Sequence, residues 1–244
     1  NVAVGYSAGL ALTSGASNVA IGAFAGDALT SGTSNIAIGV LALSTEDAHG
    51  NNVAVGNQAL RVLNAGAEGY NTAAGTSAGV AMTTGVDNTL VGALSGDALT
   101  TGSYNVAIGK SALSAEDTLD GNTAVGYFAL IVQDGGSQNT ALGYQAGDVL
   151  STGDNNTLLG AGSGDNLNTG SNNTLVGASS GDVLAGGSNN TCIGRDTTFA
   201  GGGDSSCIII GESVTGLGSN STVIGTTATT NALVHGLKQP VIAA

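Results

Sequence analysis

The sequence predicts an all-β chain, a parallel β-solenoid built as a flattened roll with two short strands per coil, 17 residues per coil and about 14 coils. Three observations carry this. First, a pentapeptide of the type Asn18-Val19-Ala20-Ile21-Gly22 recurs along the chain, and its closing glycine stands at Gly5, Gly22, Gly39, Gly56, Gly75, Gly92, Gly109, Gly126, Gly143, Gly160, Gly177, Gly194, Gly211 and Gly225. Eleven of the thirteen intervals are 17 residues, one is 19 and the last is 14. So strict a period is the mark of one coil per repeat. Second, the residue before each anchor glycine is apolar, and the residue three before it is β-branched throughout. That composition suits a short strand. Third, the chain has 42 Gly but 1 Pro, and only 9% of its residues are charged. Collagen needs proline and glycine at every third position, and a disordered tail needs more charge.

Within a coil, the three residues before the anchor form the first strand, for example Val19-Ala20-Ile21. Both of its faces are apolar, so one should line the lumen and the other should be covered. The expectation is that the aliphatic residue before glycine fills the lumen, while the smaller one two before it (Ala3, Ala20, Ala37) admits a neighbouring chain. After the glycine, the third position is small (Ala8, Ala25, Ser95, Ser163) and the seventh is often Leu or Met (Leu12, Leu29, Met82, Leu150). A second short strand is expected through that leucine. A turn at Thr-Ser-Gly, as in Thr30-Ser31-Gly32, then returns the chain to the next Asn. Asn opens twelve coils, from Asn1 to Asn190. In stacked coils these side chains form one column, in which identical amides can bond to each other in register.

A longer period overlies the short one. The fourth position after the anchor reads Gly9, Gly26, Leu43, Leu60, then Gly79, Gly96, Leu113, Leu130, then Gly147, Gly164, Gly181. Residues 1–70 and 71–138 are therefore two four-coil units, further coils run over 139–225, and 226–244 is a non-repetitive connector or cap. Ala200-Gly201-Gly202-Gly203 is expected to be a loosened turn, and Asn1, already in register, suggests a piece cut from something longer.

The chemistry of sites is sparse. The formal net charge is −13, and the basic residues are Arg61, Lys110, Arg195 and Lys238. This speaks against nucleic acid and anionic membranes as partners. No apolar run is long enough for a membrane span. The histidines, His49 and His235, lie near no nucleophile motif, and no metal-ligand spacing or phosphate loop occurs. The reading is therefore not an enzyme, with no catalytic, cofactor-binding or metal residues assigned. Asp27, Asp97, Asp148, Asp165 and Asp182 share one column; solvated exposure is expected for them, with bridging by a cation left open. The pairs Glu46-Asp47 and Glu116-Asp117 are expected to be solvated too. Cys192 and Cys207 read as two buried free thiols. The column of Thr140, Thr157, Thr174 and Thr191 admits an ice-binding reading as a minor one, because each Thr is followed two residues later by an aliphatic side chain.

Segments such as 139–148 (Asn-Thr-Ala-Leu-Gly-Tyr-Gln-Ala-Gly-Asp) and 187–194 (Gly-Ser-Asn-Asn-Thr-Cys-Ile-Gly) resemble the repeats of phage tail-fibre proteins. They are also similar to the head repeats of trimeric autotransporter adhesins, whose coil is shorter. The resemblance covers roughly residues 1–225. It implies rolls that associate as homotrimers, intertwined or side by side, in an extracellular or virion fibre presenting a tip to a host-surface glycan or protein receptor. An extracellular self-assembling filament is the second reading, and a glycan-degrading tailspike a minor one.

Overall fold

The computed structural model describes residues 1–225 except 116, 117 and 119. Among them, fourteen three-residue strands, from β1 (Val2–Val4) to β14 (Thr222–Ile224), form a single parallel sheet in which each strand pairs with the one before and after it in sequence. The chain is thus a β-solenoid of about 13 turns with about 17 residues per turn. Register follows the repeat: Ala20 sits over Ala37, and Leu158 over Leu175. The 19-residue interval leaves it intact, Ala54 pairing with Ala73.

The anchor glycine makes the corner after the strand. Gly92 has φ +132°, and a Cβ there would stand 2.5 Å from Gly109 O and 2.6 Å from its carbonyl carbon. An L-residue resists that φ, and the stacked backbone leaves no room for its side chain. Gly92→Ala is expected to cost about 3 kcal/mol, read as a lower urea midpoint. An unchanged midpoint would mean that the corner relaxes freely.

The structure has one strand per coil, not the expected two. The stretch after the corner is a run of turns, because left-handed residues recur at its second and fourth positions: Phe24 (φ 59°) then Gly26 (φ 52°), or Leu41 (57°) then Leu43 (49°). Such alternation coils the backbone and prevents a strand. Each turn closes on itself, as Leu29 N–H donating to Gly26 O, and bonds to the next coil, as Gly26 N–H donating to Ala42 O. Isolated bridges join Asp182 to Thr198 and Thr198 to Thr215. The Gly201–Gly203 stretch is a closed turn rather than a loosened one, its Gly201 N–H donating to Asp204 Oδ2 at 2.8 Å.

The lumen is filled the opposite way round from the sequence expectation. The strand-centre residues Ala20, Ala37, Ala54, Leu90, Leu158, Leu175 and Cys192 are fully buried, while Ile21, Val55, Ile108 and Ile193 lie outside. With one strand per coil the roll is thin, and the leucines of the turn segment, such as Leu29, Leu63, Leu99 and Leu150, already occupy the lumen. A small centre opposite a large leucine packs without voids.

The longer period has the same cause. Leu stands at the fourth position only in coils with Ala at the strand centre (Ala54 with Leu60, Ala124 with Leu130), and the coils with Leu at the centre carry Gly there (Leu90 with Gly96, Leu158 with Gly164). Where both are small, neighbours fill the gap: a Cβ on Gly79 would meet Leu60 Cδ2 and Leu90 Cδ1, each at 2.8 Å.

The asparagines are the polar spine of this core. Asn18, Asn35, Asn52, Asn71, Asn88, Asn105, Asn122, Asn139, Asn156, Asn173 and Asn190 are buried. Each backbone N–H donates to Oδ1 of the Asn one coil earlier, as Asn35 to Asn18 at 2.9 Å. Nδ2 donates to a corner carbonyl, as Asn18 to Gly32 O at 2.7 Å, and in several coils also to the preceding Oδ1, as Asn156 to Asn139 at 3.0 Å. The expected side-chain ladder is present, but its backbone-to-side-chain rung is the more regular one. Cys207 stands in the same column and takes the last rung, its N–H donating to Asn190 Oδ1 at 2.9 Å. Both cysteines are free and buried.

Candidate interaction surface

Strand alternation fixes what faces outward. With Asn and the strand centre inside, the residues three and one before each anchor glycine point away from the lumen. The first column runs Val, Val, Ile, Val, Thr, Thr, Val, Thr, Thr, Thr, Thr, Thr, Ile, Thr, and the second is aliphatic in all coils but the fifth, which has Ala74. Neither contains a charged residue. Ile108 remains 38% exposed and Leu159 44%, though they sit in the middle of the array. At ordinary strand spacing the strip is about 60 Å long and about 10 Å wide, on the order of 600 Å², at the upper end of what a soluble monomer exposes.

Aromatic residues rim this strip on both sides. Tyr70 and Tyr104, both exposed, precede the opening Asn of their coils. Beyond the anchor corner stand Tyr6 and Phe24, packed edge-to-face with centroids 5.3 Å apart. Tyr127 stacks on Phe128 at 3.9 Å and on Tyr144 at 5.6 Å, and Lys110 Nζ lies 6.0 Å from the Tyr127 ring centre. Exposed tyrosine beside an aliphatic strip is the composition of interface cores. The face open to a partner is therefore the Val/Ile/Thr face; the Ala face expected for that role is the lumen. The threonines at 140, 157, 174 and 191 belong to this outward face, each beside an aliphatic neighbour.

The acidic column lies on the turn segment, away from the strand. Asp27, Asp97, Asp148 and Asp165 are half-buried rather than freely solvated, and Asp182 is exposed. Oδ1 of Asp27, of Asp97 and of Asp148 is buried without a protein partner. Burial pushes all four half-buried carboxyls above the usual carboxylate range; for Asp165 the charges of Asp182 and Asp148 act in the same direction. Asn166 relieves part of the repulsion by donating to Asp165 Oδ1 at 3.3 Å and to Asp182 Oδ1 at 2.8 Å.

A carboxyl whose folded pKa is raised stabilises the fold below its unfolded pKa of about 3.9 and loses that contribution as pH rises through the folded value. Resistance to urea is thus expected to be greater near pH 4 than at pH 7, and the net charge of −13 acts in the same sense as it is neutralised. A lower urea midpoint at pH 4 would show that other carboxylates dominate.

Glu46 departs from the sequence expectation. It is fully buried in the column that holds Leu29 and Leu63, whereas Asp47 is exposed. Glu116, Asp117, His235 and Lys238 lie outside the described residues. Arg195 pairs with Asp196 at 2.8 Å and with Glu212 at 2.5 Å on the surface. No helix is long and apolar enough to cross a membrane among the described residues. Compared with known proteins, the chain matches no protein family, no curated protein and no solved structure.

Proposed function

We propose that the chain is a non-enzymatic structural segment of an extracellular or virion fibre, a shaft that holds a receptor-binding tip away from a phage particle or cell. It works as a homotrimer of parallel rolls. The observation that carries this reading is the uncharged Val/Ile/Thr strip running unbroken over fourteen strands, rimmed by aromatics on both sides. Adding the rims brings the strip near the roughly 800 Å² per partner of a standard stable interface. In a closed ring of three each strip meets two neighbours around one axis and shares its area between them. The resemblance of the repeats to tail-fibre and adhesin-head repeats supports the same reading.

A host-surface glycan or protein receptor would be met at the tip, or where the repeat varies. Negative-stain images of particles or cells carrying the full-length product test the role. A fibre projecting from the surface is the expected result, and a diffuse soluble product would overturn it. An endless free filament would favour the self-assembling alternative.

A further inference from the structure

We propose that the third coil carries a first-row transition-metal site formed by Glu46, Asp47 and His49, a feature beyond the fibre reading and independent of it. In sequence, the coils from the first to the eleventh place Leu, Met or Gln seven residues after the anchor, as Leu29, Leu63, Met82, Leu99 and Gln133, except the third, with Glu46, and the seventh, with Glu116; only the third adds a histidine three residues further on. Glu46 puts a fully buried carboxylate there instead. The Thr-Ser-Gly turn that follows in the second coil is replaced by Asp47-Ala48-His49-Gly50. One ligand atom each from Glu46, Asp47 and His49 lies within 4.8 Å of the others.

The geometry suits an ion bound at this corner. Glu46 Oε1 and His49 Nδ1 are 3.0 Å apart. Two ligands on a metal with bonds of about 2.0–2.2 Å are separated by about 3 Å. The second oxygen is already oriented, since Ala65 N–H of the next coil donates to Oε2 at 3.2 Å. His49 is held by its own N–H, which donates to Glu46 Oε1 at 3.0 Å, and by its carbonyl, which accepts from Asn35 Nδ2 at 2.9 Å. Such outer contacts fix ligand orientation in metal sites.

Asp47 is exposed and His49 half-buried, so an ion can reach the site from solvent. Two carboxylates and a neutral imidazole select Zn²⁺ or its first-row neighbours over Ca²⁺ or Mg²⁺, which prefer oxygen alone. The ion would pin the turn at 46–49 of the third coil, and the Ala65 N–H bond to Glu46 Oε2 ties that turn to the fourth coil at the edge of the 19-residue interval.

Titrating the untagged chain with Co²⁺ and Zn²⁺ tests this. About one Co²⁺ per chain is expected, with visible absorption bands that Zn²⁺ abolishes, and a higher melting temperature with Zn²⁺ bound. His49→Ala and Asp47→Asn should each weaken binding by about tenfold or more. Asp47→Asn keeps the backbone carbonyl that Thr30 and Ser31 N–H groups use, so it should fold as the parent does. No stoichiometric binding, or binding that both variants leave unchanged, would overturn the site.

Discussion

Asn88→Ala is expected to destabilise the solenoid by about 3–5 kcal/mol. The N–H and side chain of Asn88 make five bonds with Asn71, Gly102 and Asn105. Its N–H donates to Asn71 Oδ1 at 3.0 Å, and its Nδ2 to the same oxygen at 3.2 Å and to Gly102 O at 2.9 Å. Its Oδ1 accepts from Asn105 N–H at 2.9 Å and from Asn105 Nδ2 at 3.1 Å. Alanine removes the acceptor of the buried Asn105 N–H and the donor to the Gly102 carbonyl. Each stranded group costs about 1–3 kcal/mol. Because each coil contacts only its neighbours, the loss should appear as an early local transition around the sixth and seventh coils. Hydrogen exchange of those amides, compared with coils near the ends, measures it. Uniform protection equal to that of the parent would show that the ladder is dispensable.

The second large effect distinguishes the two faces of the strand. Ile108→Asp and Ala107→Asp alter adjacent residues of one strand, Val106–Ile108. Ala107 is fully buried in the lumen, so an aspartate there has no partner and should unfold several coils. Ile108 points outward, so its replacement should leave the roll folded but break the association between copies. At a threefold contact the change removes three buried isoleucines, each worth about 1.5–3 kcal/mol, and brings three carboxylates together. Circular dichroism for folding and light scattering for mass separate the outcomes: folded and monomeric for Ile108→Asp, unfolded for Ala107→Asp. The reverse pattern would restore the Ala face as the interface.

That reversal of faces shows what the sequence could and could not convey. The period, the strand and the asparagine column were legible, because stacked coils turn a repeat into columns of identical residues. The orientation was also within reach. A buried Asn rung four residues before the anchor forces, by strand alternation, the residue two before it inside. Judged by hydrophobicity alone, Ile21 outranks Ala20 for the lumen, and that ranking misleads in a roll whose leucines already fill the space.

The missing second strand had a weaker signal. Glycine at the fourth position of several coils is compatible with a left-handed residue, but nothing in Phe24 or Leu41 announces a positive φ. Glu46 was read as solvated because it is charged, although its column, shared with Leu29 and Leu63, leads into the core. Its partner Ala65, 19 residues on, becomes visible only when the coils are stacked.

The central claim is that the exposed Val/Ile/Thr strip joins copies of the chain, and sedimentation equilibrium of the purified protein tests it most directly. A single species of about three times the 23.2 kDa of one chain, shifting to one chain's mass in Ile108→Asp, is the predicted result. A stable monomer for the parent chain at micromolar concentration would contradict it.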